Sequence, residues 1–395
     1  MLKLVRQPRF DVRERPFVVI WEITRACDLA CAHCRASAIA ARNPAELTLA
    51  EGRALIDQVA AFEPPRPLFI LTGGDPMKRP DLMELVAYGT QQGLAVALSP
   101  SATPLLTPEA IVALRSMGLK AISLSLDAAT PERHDAFRGV SGVFERTLKV
   151  WDTARECGLK VQINTTVTRF TVEDLPAIAR MARERQVLLW SVFFLVNVGR
   201  GERLEPITAP QCEDVMNFLC DAGAAIAVKT TEAPHFRRLV IERALLARRG
   251  LDVASLSPGD LYGRLKTGLG PWPSSPRLRR APADVNAGSG FIFISHTGAV
   301  HPSGFFPLTV GSVRTRPLAE IYRRSPLLRA LRDPQALGGR CGRCEFRLVC
   351  GGSRSRAFAL SADPVGEDPL CAYEPGSFPL AEEVAEALAA ESVSI

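Results

Sequence analysis

Three cysteines, Cys27, Cys31 and Cys34, stand together in the stretch CDLACAHC with the spacing C-x3-C-x2-C. A structural zinc ion or an electron-transfer iron–sulfur cluster takes four protein ligands, so this loop is one ligand short. Three thiolates this close in sequence can hold three corners of a 4Fe–4S cube, and the fourth iron then has no protein ligand. Because an open coordination position is typical of a catalytic metal, the spacing predicts a catalytic cluster. A zinc loop completed by His33 is the alternative.

A second cysteine group lies near the C-terminus, with the spacing C-x2-C-x5-C-x20-C. Its members are Cys341, Cys344, Cys350 and Cys371. Four thiolates form a complete ligand shell, so this site needs no ligand from outside the chain. The residue types leave a four-cysteine zinc site and a 4Fe–4S cluster both open. The other cysteines lie in helix-like stretches with apolar neighbours and are predicted to pack in the core: Cys157, Cys212 and Cys220.

The composition is that of a globular protein. The chain has 395 residues, of which 47% are hydrophobic and 23% are charged, and this length favours two or three folded units. No apolar run reaches the roughly 18 residues that span a bilayer, and the charged start MLKLVRQPRF lacks the apolar centre of a signal peptide. We therefore expect a cytoplasmic protein without a membrane partner. In that reducing compartment, clustered thiols more often bind metal than form disulfides.

Residues 17–228 alternate between apolar strands and amphipathic helices. The predicted strands are PFVVIWEIT, PLFILTGG, AVALSPSA, AISLSLDA, KVQINTTVT and LLWSVFFLV. Six strand–helix pairs of this kind favour an α/β fold, a partial (β/α)6 TIM-like barrel with a parallel sheet. Sites in such folds lie on loops at the carboxyl ends of the strands, and the first cysteine group follows the first strand. A Thr48-x-x-Glu51 capping box marks the first helix.

The chain divides into four predicted segments. The core, residues 17–228, is followed by a basic, Pro/Gly-rich connecting segment, 229–285, a small domain with the second cysteine group, 286–378, and a C-terminal helix, 379–395. Residues 229–280 contain 11 Lys and Arg against 4 Asp and Glu, a surplus of 7 that accounts for essentially all of the net charge of +6. Such a patch suits an acidic small molecule or an acidic protein. Nucleic acid is not expected, since aromatic residues are scarce beside these charges.

The C-x3-C-x2-C loop after a first strand resembles that of the radical S-adenosylmethionine (SAM) superfamily. In that family the bare iron binds SAM, and one electron cleaves SAM to methionine and a 5′-deoxyadenosyl radical that abstracts hydrogen from substrate. The stretch TGGDP is similar to the family's Gly-Gly-Glu-Pro, although Asp stands here where most members have Glu. The resemblance implies SAM contacts at Gly73, Gly74, Asp75, Ser125, Arg146, Asn164 and Gly199, with Asp127 and Arg200 as further candidates.

The second cysteine group, with GGSRSRAFA after Cys350 and DPLCAYEP around Cys371, resembles the SPASM/twitch extension of radical SAM enzymes. That resemblance implies an auxiliary 4Fe–4S cluster on the four C-terminal cysteines. A full SPASM domain holds two clusters. Ser303 occupies a place where many relatives have cysteine, so we expect one auxiliary cluster here.

The stretches CAHCRASA, TGGDPMKRPDL and CGRCEFRLVC look closest to the branch that modifies tetrapyrrole propionates in heme d1 and alternative heme synthesis. This resemblance implies a tetrapyrrole substrate and a flavodoxin or ferredoxin as reductant. A peptide maturase acting on a precursor peptide is the first alternative, and a non-catalytic two-cluster electron carrier is the second. No residue that quenches the substrate radical is assigned, and the candidates outside the core are His235, His296 and His301.

Overall fold

The computed structural model of the chain describes residues 5–6, 10–273, 281–282 and 285–392. Arg277, Arg279 and Arg280 of the basic segment, and the last three residues of the predicted C-terminal helix, lie outside the described residues. The strands are β1 Val5–Arg6, β2 Val18–Thr24, β3 Leu68–Gly73, β4 Ala95–Leu98, β5 Ala121–Ser125, β6 Lys160–Val167, β7 Leu189–Phe194, β8 Val228–Thr231, β9 Ala281–Pro282, β10 Phe291–Ile294, β11 Ala299–His301 and β12 Gly311–Ser312.

The helices cover the outer face of the main sheet and build much of the C-terminal region. They are α1 Leu49–Ala60, α2 Leu82–Gln91, α3 Pro108–Ser116, α4 Pro131–Arg138, α5 Val143–Glu156, α6 Leu175–Glu184, α7 Ala209–Ala222, α8 Phe236–Arg248, α9 Asp260–Leu269, α10 Leu318–Arg324, α11 Pro326–Arg332, α12 Gly339–Arg343, α13 Arg354–Ser361 and α14 Ala381–Ser392. The predicted capping box at α1 is confirmed, because Thr48 and Glu51 each accept a backbone N–H from the other.

The main sheet has ten strands in the order β12-β11-β10-β2-β3-β4-β5-β6-β7-β8. From β2 to β8 each strand pairs in parallel with the next one along the chain, as successive right-handed strand–helix units require. The carboxyl ends of these strands therefore lie at one edge of the sheet. The predicted α/β class with a parallel sheet is confirmed, and β8 and β12 form the two ends of the strand order.

Side chains on the parallel strands alternate between the helices and the interior of the curved sheet. Trp190 of β7 packs edge-on against Phe218 of α7, with ring centroids 6.5 Å apart, so it points outward. Its neighbour Ser191 must then face the interior, since successive side chains of a strand point to opposite faces. The register continues this interior row across four strands, through Ser125, Asn164, Ser191 and Lys229.

The regular pattern extends further than the sequence predicts. Strand β8 adds a seventh parallel strand, and α8 and α9 follow it inside the segment 229–285, where no helix was predicted. Strand β10 of the predicted small domain pairs in parallel with β2, so the C-terminal region continues the same sheet rather than standing apart from it. Helix α4 was also missed, and the C-terminal region contains two short helices, α10 and α11, that meet at Ser325.

Most described arginines of the basic segment have partners. Arg238 pairs with Glu213 and Glu242, and Arg243 lies 2.5 Å from Asp221. Arg249, directly after α8, pairs with Glu383 of α14, and Arg264 of α9 pairs with Glu173. These arginines therefore hold the C-terminal helices to the core. Part of the positive charge from which a basic patch was predicted is therefore neutralised within the chain.

The core lies between the sheet and its helices. Cys212 is fully buried in it, and Cys157 and Cys220 pack against it, so the predicted packing role of these cysteines is confirmed. In the part of the chain that the structure describes, no helix is long and apolar enough to cross a bilayer.

Candidate active site

The first cysteine group lies on a loop that leaves the carboxyl end of β2. Cys27 and Cys31 are each 8% exposed. The backbone N–H of Leu29 donates to Cys27 Sγ at 3.3 Å, and that of Ala38 donates to Cys34 Sγ at 3.4 Å. Amide donors aimed at sulfur are the support that iron–sulfur thiolates receive in proteins. The residues of this loop therefore fit a cluster.

Burial disfavours the charged form of the Cys27 sulfur. It raises the pKa of the Cys27 thiol, against the opposing effect of hydrogen bonds from Ser101 and Leu29. A thiolate at this position consequently needs a bound cation to offset its desolvation, and metal ligation supplies that compensation.

Two glycines allow other loops to press against the cluster loop. A Cβ on Gly74 would lie 2.5 Å from the carbonyl oxygen of Ala26, and a Cβ on Gly199 would lie 2.4 Å from that of Arg35. Gly199 also has a φ of 57°, in the left-handed region that favours glycine. The loops after β3 and β7 are thus in backbone contact with the cysteine loop, which places the predicted residues Gly73, Gly74 and Gly199 around it.

Replacing Gly74 with alanine is expected to destabilise the protein. The added methyl group has backbone rather than a movable side chain as its neighbour, and overpacking of this kind costs about 1–3 kcal/mol. Urea unfolding of the two proteins measures the difference.

The matched control is Gly263→Ala in α9, where no atom lies within 4 Å of the new Cβ. Alanine there should leave stability unchanged or raise it by about 0.5–1 kcal/mol, because it favours the helix. Equal unfolding midpoints for Gly74→Ala and the wild type would contradict the predicted close approach.

A buried ion pair, Arg138 with Asp127, lies behind the second cysteine. The guanidinium of Arg138 is 3.6 Å from Cys31 Sγ and also donates to the Asp127 carboxylate. Asp127 further accepts the backbone N–H of Thr166 at 2.7 Å. Although burial raises its pKa, Arg138 together with His33, His134 and the Thr166 N–H outweighs burial and holds the pKa of Asp127 below its usual value. The pair therefore places a fixed positive charge beside a cluster sulfur.

Sequence reasoning missed Arg138 because it missed α4. The signals for this helix are nevertheless present in TPERHDAFRG. Thr130 caps the first turn by accepting the N–H of Arg133, Pro131 takes the first helical position, and Gly139 ends the helix with a φ of 72°. Asp127, a minor candidate from the sequence, proves to be the partner of Arg138.

The hydrogen-bond partners of Asp75 lie on the loops next to it. It is fully buried, and its carboxylate accepts the backbone N–H of Met77 at 3.1 Å and the hydroxyl of Thr103 at 2.7 Å. Burial raises its pKa. These bonds tie the loop after β3 to the loop after β4, so the described contacts of Asp75 position the glycines before it.

Of the remaining predicted SAM contacts, two lie on strands of the sheet and two are arginines that donate to backbone carbonyls. Ser125 and Asn164 are register partners on β5 and β6 and face the interior together. Arg146 of α5 donates instead to backbone carbonyls, those of Ala102 at 3.1 Å and Ser141 at 3.0 Å. Arg200 holds the cysteine loop by donating to the carbonyl of Cys31 at 2.9 Å.

The second cysteine group lines one small pocket, whose walls include Cys341, Cys344, Cys350 and Cys371. The N–H of Gly352 donates to Cys350 Sγ and that of Asp368 to Cys341 Sγ, each at 3.4 Å. A Cβ on Gly352 would lie 2.9 Å from Cys341 Sγ, so the glycine keeps this cradle open. Burial raises the pKa of Cys344 to about 12 and that of Cys371 to about 11. Four sulfur donors with amide support fit an iron–sulfur cluster.

Among the residues that the structure describes, neither cysteine group is closed around a single metal position. Within the described residues, no three His, Cys, Asp or Glu side chains converge on one metal position. In a cube each thiolate binds a different iron, so its sulfurs lie further apart than those around one zinc ion. His33, the ligand of the zinc alternative, stacks its ring on Phe137 with centroids 4.6 Å apart.

The three candidate histidines have separate surroundings. His235 is fully buried without a hydrogen-bond partner among the described residues, and desolvation lowers its pKa to about 4. His296 Nδ1 lies 3.0 Å from Glu22, and His301 Nδ1 lies 3.1 Å from the carbonyl of Leu308. The structure does not bring the three together.

Comparison with known proteins identifies the family. Residues 21–182 match the model of the radical SAM superfamily. An AdoMet-dependent heme synthase from Methanosarcina barkeri (strain Fusaro / DSM 804) is 36% identical over 364 residues, which cover 91% of this chain and 97% of that protein. The chain belongs to the radical SAM superfamily. Membership of this family implies SAM and a 4Fe–4S cluster, and it makes the chain an enzyme rather than a non-catalytic electron carrier.

Two further comparisons describe the radical SAM chain as a whole. A pre-heme d1 synthase from Dinoroseobacter shibae (strain DSM 16493 / NCIMB 14021 / DFL 12) is 31% identical over 368 residues, which cover 90% of this chain and 85% of that protein. The crystal structure of Streptococcus suis SuiB bound to S-adenosylmethionine superposes with a TM-score of 0.65 at 15% identity, over 91% of this chain and 78% of that one. At that identity the likeness shows a shared fold.

Proposed function

We propose that this radical SAM enzyme removes carboxyl groups from the propionate side chains of an iron tetrapyrrole. The observation that carries the proposal is the 36% identity to an AdoMet-dependent heme synthase over nearly the full length of both chains. A second relative, the pre-heme d1 synthase, also acts in tetrapyrrole synthesis by its name.

The chemistry follows from the groups that heme carries. A vinyl group remains when a propionate loses one hydrogen atom, CO₂ and one electron. The hydrogen leaves from the carbon next to the ring, the carbon–carbon bond to the carboxylate breaks, and the electron must pass to an acceptor. When bound, SAM and the reduced cluster supply the 5′-deoxyadenosyl radical that takes the hydrogen atom.

Different residues of this chain hold the first cluster and SAM. Cys27, Cys31 and Cys34 bind three irons, and the interior of the barrel presents Ser125 and Asn164 from adjacent strands to the nucleoside. Gly73, Gly74 and Gly199 bring backbone groups close to the cluster loop. Asp75 keeps the loop after β3 in place through its own hydrogen bonds.

We assign an auxiliary 4Fe–4S cluster to Cys341, Cys344, Cys350 and Cys371, as the acceptor of the substrate's electron. Four sulfur ligands leave no open position, which suits electron transfer better than substrate binding. Arg354 supports the role, since its guanidinium lies 3.6 Å from Cys341 Sγ and a nearby positive charge favours the reduced state. A flavodoxin or ferredoxin is the proposed source of electrons for the first cluster.

The experiment is an anaerobic incubation of the reconstituted enzyme with SAM, dithionite and iron coproporphyrin III. Mass spectrometry should show a porphyrin that has lost CO₂ and two hydrogens per reacted side chain, together with 5′-deoxyadenosine. Formation of 5′-deoxyadenosine without any change of the porphyrin would contradict the proposed substrate. It would direct the search to a precursor peptide, the substrate of the alternative function.

One variant tests the role of the auxiliary cluster apart from that of the first cluster. Cys350→Ala removes a ligand of the auxiliary cluster while leaving the first cysteine group intact. We expect 5′-deoxyadenosine to form still, but the decarboxylated product to fall by roughly tenfold or more, because the substrate radical has lost its electron acceptor. Product formation at the wild-type level would refute this role of the auxiliary cluster.

A further inference from the structure

The wall of the barrel carries a lysine in the same row as two proposed SAM contacts. Lys229 of β8 is in register with Ser191 of β7, which is in register with Asn164 of β6. Because Ser191 faces the interior, Lys229 faces it too. The hydroxyls of Ser191 and Thr231 lie 3.3 Å apart, which confirms that alternate residues of β8 share this face.

The carboxylates around this interior already have partners. They are Glu22 with Arg35 and His296, Asp127 with Arg138, and Glu232 with the hydroxyls of Ser303, Ser353 and Ser355. Across residues 10–273 and 285–392, no carboxylate oxygen lies within 4.0 Å of Lys229 Nζ. The lysine is therefore an interior cation without a described counter-ion.

An ammonium group close to many protein atoms, without a paired carboxylate, is solvated less well than one in bulk water. Desolvation lowers the pKa of Lys229 and is the cause of that shift. The side chain is nevertheless accessible to solvent, as expected for a residue in the wall of an open cleft. A carboxylate that enters this cleft would offset the cost and stabilise the charged form.

We propose that Lys229 binds a carboxylate group of the substrate and so anchors it inside the barrel. The inference rests on the proposed function, in which the substrate is a tetrapyrrole with several propionates. Phe193 is in register with Thr231, one step further along the sheet, and its ring lies 6.2 Å from that of Phe305. These two rings provide apolar surface for a macrocycle next to the anchoring charge.

The test compares Lys229→Met and Lys229→Arg with Lys266→Met, whose side chain is exposed on α9. Quenching of tryptophan fluorescence measures the binding of iron coproporphyrin III to each holoenzyme. We expect the Kd to rise roughly tenfold or more in Lys229→Met, as for the loss of a charged hydrogen bond. Lys229→Arg keeps the charge and should stay within about threefold of wild type, and Lys266→Met should match it. Iron content and circular dichroism verify that each variant is folded and loaded.

The tetramethyl ester of the same porphyrin tests the charge directly. Wild type should bind the ester more weakly than the free acid, and Lys229→Met should reduce this difference. A Kd for Lys229→Met equal to that of wild type, or an unchanged preference for the acid, overturns the inference. If wild type decarboxylates the porphyrin while Lys229→Met binds it normally, the inference alone fails. If wild type forms no decarboxylated product, the proposed function fails.

Discussion

Replacing Cys31 with alanine should abolish the formation of 5′-deoxyadenosine from SAM. The loop supplies three sulfurs to a cluster, and Cys31 is the sulfur that Arg138 contacts at 3.6 Å. With two ligands left, the cluster is not retained, and the iron content should fall by about four atoms per chain. Chromatography of an anaerobic reaction with dithionite, and iron analysis of the same sample, measure both effects.

Cys157→Ala is the matched control, because Cys157 packs against the core at the end of α5 and belongs to neither cysteine group. It should keep both the iron and the activity of wild type. The assignment of the first cluster would be wrong if Cys31→Ala still cleaved SAM above the background of a reaction without enzyme.

Replacing Asp368 with asparagine should cost about 3–5 kcal/mol of stability, because it leaves a buried guanidinium without its counter-ion. Asp368 and Arg356 are both fully buried and are joined by two hydrogen bonds, of 2.7 and 2.6 Å. Burial raises the pKa of Asp368, but Arg356 outweighs this and holds that pKa far below its usual value. The carboxylate also accepts the N–H of Ser353 at 2.8 Å.

Urea unfolding under anaerobic conditions measures this loss, and iron analysis should show a parallel loss from the auxiliary site, since the N–H of Asp368 donates to Cys341 Sγ. The control is Glu205→Ala, which breaks an exposed ion pair with Arg169 and should cost at most about 1 kcal/mol. Similar losses for the two variants would show that the buried pair does not hold the cysteine cradle.

The positions of the two ion pairs explain why neither was found from sequence. Asp127 and Arg138 are eleven residues apart, on a strand end and on a helix that was not predicted. Arg356 and Asp368 lie on α13 and on the loop that leads to Cys371. Charged residues of both kinds occur throughout the sequence, and only burial distinguishes these four from the solvated ones.

The ion pairs of the basic segment could not be found from the sequence either. Its surplus of positive charge suggested an open patch, but Arg238, Arg243 and Arg264 find acidic partners on α7 and near α6. Composition counts the charges of one segment alone. Their partners are distant in sequence, so the count cannot show that they are neutralised.

The sequence by itself determined the features that depend on local spacing. Three cysteines within eight residues, four more in a complete set, and alternating strands and helices predicted the cluster loop, the second cysteine site and the parallel α/β fold. Ligands on one loop need no distant partner to be recognised, and strand and helix periods repeat within a few residues.

Only the tertiary structure decided which charges and polar groups surround those cysteines. Strand register placed Lys229 in the row of Ser125 and Asn164, although more than a hundred residues separate it from the first of them along the chain. In the folded chain, Asp75 accepts a hydrogen bond from Thr103 and so links two loops, and Arg138 contacts Cys31 Sγ. These placements follow from the pairing of strands and from the desolvation of buried charges, both of which join residues that the sequence keeps apart.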